Sequence, residues 1–320
     1  MRRKPIIIVP GQPNSIFFEI FFKSLDVKKI ISPIIIICCI NLFKFNARKY
    51  RFNKNFNLIN SENTKNNLMN NCIYILDVKL NKNKLGKIQF CNNKEYLNRC
   101  FYESFKLLKK NITYKLLNGP INKAKFLNKN YLGITEYISN YFNQKKTGML
   151  IYNKKLSVCP LTTHLPLKLV PKKITKLLIQ DKLKIINNFY IEKLKFKPKI
   201  AVTGLNPHCE SISKFNEDEK IITPAIELSK KKGISVSGPF PADTIFLKQN
   251  REKFDVILGM YHDQVLTPIK TLYEYDAINI TMGLPFLRVS PDHGPNEKMI
   301  NKNLSNPTSL YKALEFLDKN

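Results

Sequence analysis

Four histidines occur in this chain of 320 residues: His164, His208, His262 and His293. Three of them, His164, His208 and His262, follow an apolar β-type run and a short polar or turn-prone link. In α/β proteins the ends of strands carry the site. Three imidazoles gathered from three strand ends form an open set of ligands for a divalent ion such as zinc or cobalt, with positions left for substrate oxygens. An all-His set with no thiolate ligand is of the open catalytic type, whereas a structural zinc site favours four protein ligands, usually including Cys. Asp243 and Asp263 are candidates to orient a ligand or to accept a proton. Lys123, Lys270 and Arg288 are spaced cations suited to a substrate bearing phosphate and carboxylate. Against this stands the plainer reading of each His as a structural side chain in a turn.

The elements that must position these residues alternate in type. Strands are expected at Ile6 to Val9, Ile30 to Ile40, Ile73 to Val78, Lys199 to Thr203, Phe254 to Met260 and Ala277 to Thr281, with a hairpin at Met149 to Cys159. Helices are expected from Ser15 to Leu25, Glu95 to Leu108, Ile174 to Phe189, Lys220 to Lys231 and Ser309 to Leu317. Residues 44 to 70 read as an irregular surface segment rich in Asn and Lys. Val236 to Thr244 reads as a Gly/Pro-rich loop that places Asp243. The alternation implies doubly wound, largely parallel sheets with the site at the C-terminal strand edge.

Composition excludes several classes. Hydrophobic residues make up 43% of the chain, as in ordinary globular proteins. The net charge of +29 could serve nucleic acid, and a basic nucleic-acid-binding protein on a decayed enzyme scaffold is the alternative of another class. Lys is spread over the whole chain and outnumbers Arg, which argues for AT-biased drift and no specific nucleic-acid partner. The apolar run from Ile30 to Phe43 is too short to span a bilayer and is broken by Pro33. Seven cysteines without a C-x-x-C pair imply reduced, buried thiols and a cytoplasmic protein with no membrane partner. Neither G-x-G-x-x-G after a strand nor G-x-x-x-x-G-K-[ST] is present, so a standard dinucleotide fingerprint and a P-loop are absent.

Seven blocks, in order, carry a resemblance. They are Asn118-Gly119-Pro120-Ile121-Asn122-Lys123, Thr162-Thr163-His164-Leu165-Pro166-Leu167, Gly204-Leu205-Asn206-Pro207-His208, Gly238 to Thr244, Tyr261-His262-Asp263-Gln264, Asn279 to Arg288 and Asp292-His293-Gly294. The chain resembles the 4-hydroxythreonine-4-phosphate dehydrogenase family of vitamin B6 biosynthesis, strongly over residues 112 to 294. The resemblance implies two α/β/α domains with a cleft between them, similar to isocitrate and isopropylmalate dehydrogenases, and a homodimer with a shared active site. The domains would be 1–125 plus 290–320 and 126–289. It implies a metal (zinc, magnesium or cobalt) on His164, His208 and His262, and substrate contacts from Thr135, Lys270, Asn279 and Arg288. Asp243 and Lys270 would serve catalysis, and NAD or NADP would lie near His293, Gly294 and Asn306. The implied reaction oxidises 4-phosphohydroxy-L-threonine to a 3-oxo acid that loses CO2, giving 3-amino-2-oxopropyl phosphate. Where the family has His before its Thr-Glu pair this chain has Ile134, which points to a related four-carbon acid, threonate or erythronate phosphate, as the alternative substrate.

Overall fold

The computed structural model describes residues 2–27, 29–61, 64, 68–80, 93–122, 126–127, 131, 133–210, 215–292 and 294–320. The chain divides into two compact units, residues 1–137 with 285–320, and residues 138–284.

The first unit opens with β1 (Ile6–Val9), α1 (Phe17–Val27), β2 (Ile34–Cys38), α2 (Ile40–Lys49), β3 (Phe56–Ile59), β4 (Ile73–Asp77), α3 (Asn93–Lys109) and β5 (Lys115–Asn118). α4 (Ile134–Tyr141) carries the chain to the second unit. That unit holds β6 (Gly148–Tyr152), β7 (Ser157–Thr162), α5 (Lys176–Phe189), β8 (Ile200–Thr203), α6 (Thr223–Lys231), β9 (Val236–Phe240), α7 (Ala242–Ile245), β10 (Val256–Tyr261), α8 (His262–Tyr273) and β11 (Ile278–Met282). The chain then returns to the first unit with β12 (Leu287–Pro291) and α9 (Thr308–Lys319).

In the first unit the strands run in the order β3-β4-β2-β1-β5-β12, and every pairing is parallel. The β-branched runs Ile6–Val9 and Ile34–Cys38 are buried along their whole length, as a sheet covered on both faces requires. Ser15 begins α1 as expected: its Oγ accepts from Phe17 N at 3.3 Å and donates to the Gln12 carbonyl at 2.7 Å. Phe17, Phe18, Phe21 and Phe22 then go inside, with Phe18 and Phe22 edge-on to Phe43 of α2.

In the second unit the order is β11-β6-β7-β10-β8-β9. β7, β10, β8 and β9 are parallel to one another, while β6 pairs antiparallel with β7 and β11. A core of Val158, Ala201, Ile257, Val265 and Ile269 packs α8 onto the parallel strands.

Three expectations change. Residues 44–70 are not an irregular segment throughout: α2 occupies Ile40–Lys49 and β3 occupies Phe56–Ile59. Only Leu42, Phe43 and Ala47 of α2 are buried, so its apolar stripe is thin and the Asn and Lys around it mask the period. Val236–Phe240 is an edge strand, not a loop; its place at the sheet margin tolerates Pro239. The first unit reaches Tyr137 and resumes at Pro285, rather than ending at 125 and resuming at 290. The reason is packing: Phe126 stacks on Phe101 of α3, Tyr137 meets the same ring edge-on, and β12 pairs with β5 from Leu287 onward.

Among the described residues no helix is long and apolar enough to cross a membrane. Cys38, Cys39, Cys72, Cys100, Cys159 and Cys209 are free thiols, and burial pushes Cys100 up to about 12 and Cys159 up to about 11. Buried thiols held in the neutral form are inert packing groups.

Candidate active site

β7, β10 and β8 are neighbours and point the same way, so their C-terminal ends share one edge of the second sheet. His164 lies two residues beyond β7, His262 directly follows β10, and His208 lies in the turn after β8. The three imidazoles thus arise from one edge, as their sequence contexts suggest. None is a core histidine: His164 and His208 are exposed and His262 is half-buried. The rings of His164 and His262 lie 6.3 Å apart, centre to centre. His164 and His208 both hold left-handed backbone, at φ 53° and 56°. A side chain other than glycine pays for that conformation in strain, and such residues concentrate at functional sites.

Among the described residues no three His, Cys, Asp or Glu side chains are grouped so as to hold a metal ion as they stand. The donor set nonetheless suits a divalent ion, since His164 and His208 are exposed, His262 is half-buried and imidazole nitrogen is a common ligand for such ions. With its proton on Nδ1, His262 donates to Asp263 Oδ1 at 2.7 Å, which leaves the Nε2 lone pair for a ligand.

The turn that carries His208 is tied down by a residue the sequence reading did not single out. Asp218 is 1% exposed, and its carboxylate accepts from Leu205 N at 2.7 Å, Asn206 N at 3.1 Å and Asn206 Nδ2 at 2.9 Å. Hydrogen bonds to a charged group contribute about 1.5–3 kcal/mol each, which offsets the burial of the charge. Gly204 is required here because a Cβ would stand 2.6 Å from Asp218 Oδ1 and 2.7 Å from Cys209 Sγ. No local signal marks Asp218, since the contact bridges a turn. Asp243 is exposed in the first turn of α7, and its charge is felt at Cys209, the neighbour of His208. Burial, with the nearby Asp218, raises the Cys209 thiol above its ordinary value.

Lys270 is half-buried on α8, just over two helical turns from His262, about 12 Å along the axis. Asn279 lies on β11 opposite Ile151, and its Oδ1 is buried with no hydrogen-bond partner among the described residues. A buried acceptor left open costs free energy unless something fills it.

In the first unit Arg288 lies on β12, opposite Leu116 of β5, and is only 3% exposed. Its Nε donates to Asn118 Oδ1 at 2.8 Å, and Nη1 lies 3.4 Å from Thr135 Oγ1. Burial pushes the guanidinium down to about 10, with Glu136 opposing the shift. Thr135 is the second residue of α4. Asn118 ends β5, where Gly119 passes so close to β1 that a Cβ would meet the Pro10 carbonyl at 2.0 Å. Gln12 closes the same corner, donating from N to the Pro120 carbonyl and accepting from Asn122 N through Oε1.

Of the residues expected near a dinucleotide, Gly294 is exposed and Asn306 Oδ1 accepts from Thr308 N at 2.9 Å at the start of α9. His293 and Lys123 lie outside the described residues.

Two α/β units with mostly parallel strands are the fold this chain shares with isocitrate-type dehydrogenases. Isocitrate dehydrogenase from Methylococcus capsulatus shares it at a TM-score of 0.50 and 10% identity, over 99% of this chain and 85% of that one. The chain belongs to the family described as pyridoxal phosphate biosynthetic protein PdxA, whose profile matches residues 29–317. It is similar to a 4-hydroxythreonine-4-phosphate dehydrogenase of Sulfurihydrogenibium sp., at 42% identity over 62% of this chain and 63% of that protein. It is also similar to the D-threonate 4-phosphate dehydrogenase of Salmonella typhimurium, at 31% identity over 92% of each chain. The 4-hydroxythreonine-4-phosphate dehydrogenase structure from Klebsiella pneumoniae matches at a TM-score of 0.82 and 26% identity, covering 98% of both chains. The aligned stretch thus spans slightly under two thirds of the Sulfurihydrogenibium relative and nearly all of the Salmonella one.

Proposed function

We propose that this chain is a nicotinamide-dependent dehydrogenase of a four-carbon phosphorylated hydroxy acid, with 4-phosphohydroxy-L-threonine as substrate and 3-amino-2-oxopropyl phosphate as the product after loss of CO2. The observation that carries the proposal is the edge of β7, β10 and β8, where three accessible histidines follow adjacent parallel strands and two hold left-handed backbone. His164, His208 and His262 would hold one divalent ion, zinc, magnesium or cobalt. When bound, such an ion supplies Lewis acidity toward the substrate hydroxyl and the later ketone.

The chain's own groups do the rest in this reading. Asp263 keeps His262 in the tautomer that presents Nε2. Lys270 and Asp243 are the groups that would hold or move a proton. Arg288 and Thr135 offer donors to an anionic end of the substrate, and the open Asn279 Oδ1 accepts a substrate N–H or O–H. NAD, or NADP, would be seated by His293, Gly294 and Asn306. A homodimer with a shared active site and a cytoplasmic setting complete the reading.

Metal-loaded protein incubated with 4-phosphohydroxy-L-threonine and NAD is expected to form NADH, and His262→Ala is expected to abolish the signal. Absence of metal-dependent NADH formation in the parent protein sinks the proposal. A second reading takes D-threonate 4-phosphate, which carries a hydroxyl in place of the amino group. Ile134 favours it: an apolar side chain, 6% exposed, stands where the resemblance puts a polar substrate contact. Turnover of the two acids side by side, with erythronate phosphate as a third, decides between them.

A further inference from the structure

Between β10 and β8 the backbone ladder stops at Leu258 opposite Val202. β8 ends at Thr203 and turns away through Gly204, while β10 continues to Tyr261. One more rung is nevertheless present, and a side chain supplies it. Gln264 Oε1 accepts from Met260 N at 2.7 Å, and Gln264 Nε2 donates to the Gly204 carbonyl at 2.7 Å. The carboxamide uses its oxygen as an acceptor on one side and one N–H as a donor on the other, as a peptide group does, and so takes the place of the next peptide of the ladder. Thr203 Oγ1 donates to the same Oε1 at 2.8 Å. On the other side Thr162 Oγ1 donates to the Met260 carbonyl at 2.8 Å, so one residue of β10 is fastened to both neighbouring strands. Gly259 leaves room for this arrangement, since a Cβ there would stand 2.3 Å from Val265 and 3.2 Å from Gln264 Oε1.

We infer that Gln264 is a positioning residue that fixes the distance between the His208 turn and His262 by standing in for a peptide of the sheet. The inference rests on the proposed role of the three histidines as ligands. Gln264 is one helical step past Asp263 and two past His262, yet its contacts are with β8 and β10, so it is spent on geometry. An apolar isostere leaves the buried Met260 N–H and Gly204 carbonyl open and frees the His208 turn to drift. A loosened ligand geometry lowers affinity for the ion before it disturbs the fold.

The test is titration of metal-free protein with Co2+, followed by its visible absorption bands, beside thermal unfolding of each variant without metal. Gln264→Met is expected to weaken Co2+ binding by roughly tenfold to a hundredfold, the range seen when a ligand loses its support. Gln264→Glu keeps the acceptor for Met260 N and Thr203 but turns an oxygen toward the Gly204 carbonyl, so it too is expected to bind weakly. Thr203→Val removes only a hydroxyl and is expected to fall between parent and Gln264→Met; it decides the matter if the Gln264 variants do not fold. Parent-like Co2+ affinity in folded Gln264→Met and Gln264→Glu overturns the inference while leaving the ligand reading in place. A parent protein that does not bind Co2+ overturns the ligand reading, and the inference with it.

Discussion

Arg288 stands on a strand with its guanidinium shut away from water, and two of its nitrogens reach Asn118 and Thr135. The planar fork serves both partners at once, which a lysine ammonium on a flexible stem does not. Arg288→Lys is therefore expected to raise KM for a phosphorylated substrate by about tenfold to a hundredfold, the equivalent of one charged hydrogen bond, with a smaller change in kcat. Steady-state kinetics check this; an unchanged KM removes Arg288 from substrate binding. Burial lowers the guanidinium only to about 10, so it is charged throughout the neutral range. The sign of the linkage is that of a depressed base: the folded state binds the proton less well than the unfolded chain. Stability contributed by this group therefore rises as pH passes upward through 10.

At the scale of elements, the last turn of α9 is latched to the turn before β2. Asp318 Oδ1 accepts from Ser32 N at 2.7 Å, Oδ2 from Ile31 N at 3.1 Å, and Arg3 Nη1 lies 3.2 Å away. Burial pushes this carboxyl up, but the two backbone N–H groups, the Ser32 hydroxyl and Arg3 hold it below the usual carboxylate range. A depressed carboxyl contributes stability above its unfolded-state value and loses it as pH falls through the folded one. Asp318→Asn is expected to cost about 1 kcal/mol at neutral pH, a figure kept small because the group is partly exposed and screened. The gap should close as the pH drops below the carboxylate range. Urea unfolding at the two pH values checks it, and a gap independent of pH defeats the charge argument.

Elements of this kind differ in how far they show in the sequence. Ile34 to Ile37 and Ile6 to Val9 are legible because burial on both faces demands unbroken β-branched runs. β12 is not, since a buried Arg288 breaks the apolar pattern for a purpose that only Asn118 and Thr135 explain. His164, His208 and His262 are legible as strand-end residues, and their common edge follows from strand order. The contacts that hold them, Asp218 under Leu205 and Gln264 between β8 and β10, are not, because each partner is chosen by proximity across a turn rather than by period.

The whole molecule carries a net charge of +29, its Lys and Arg spread along the chain, a general attraction for anions rather than a directed one. Its two units also differ in how the chain supplies them. Residues 138–284 are continuous, while the first unit waits for residues 285–320. Until β12 arrives β5 has an open edge, and until α9 arrives α1 lacks a neighbour. A ribosome making this protein therefore releases a finished second unit while the first is still missing a strand and a helix, with an edge ready to pair with another chain. A chain ending at residue 284 should show this under limited proteolysis: 138–284 resistant, 1–137 cut. For the cell the hazardous interval is therefore synthesis of residues 285–320, when a holdase would have most to shield.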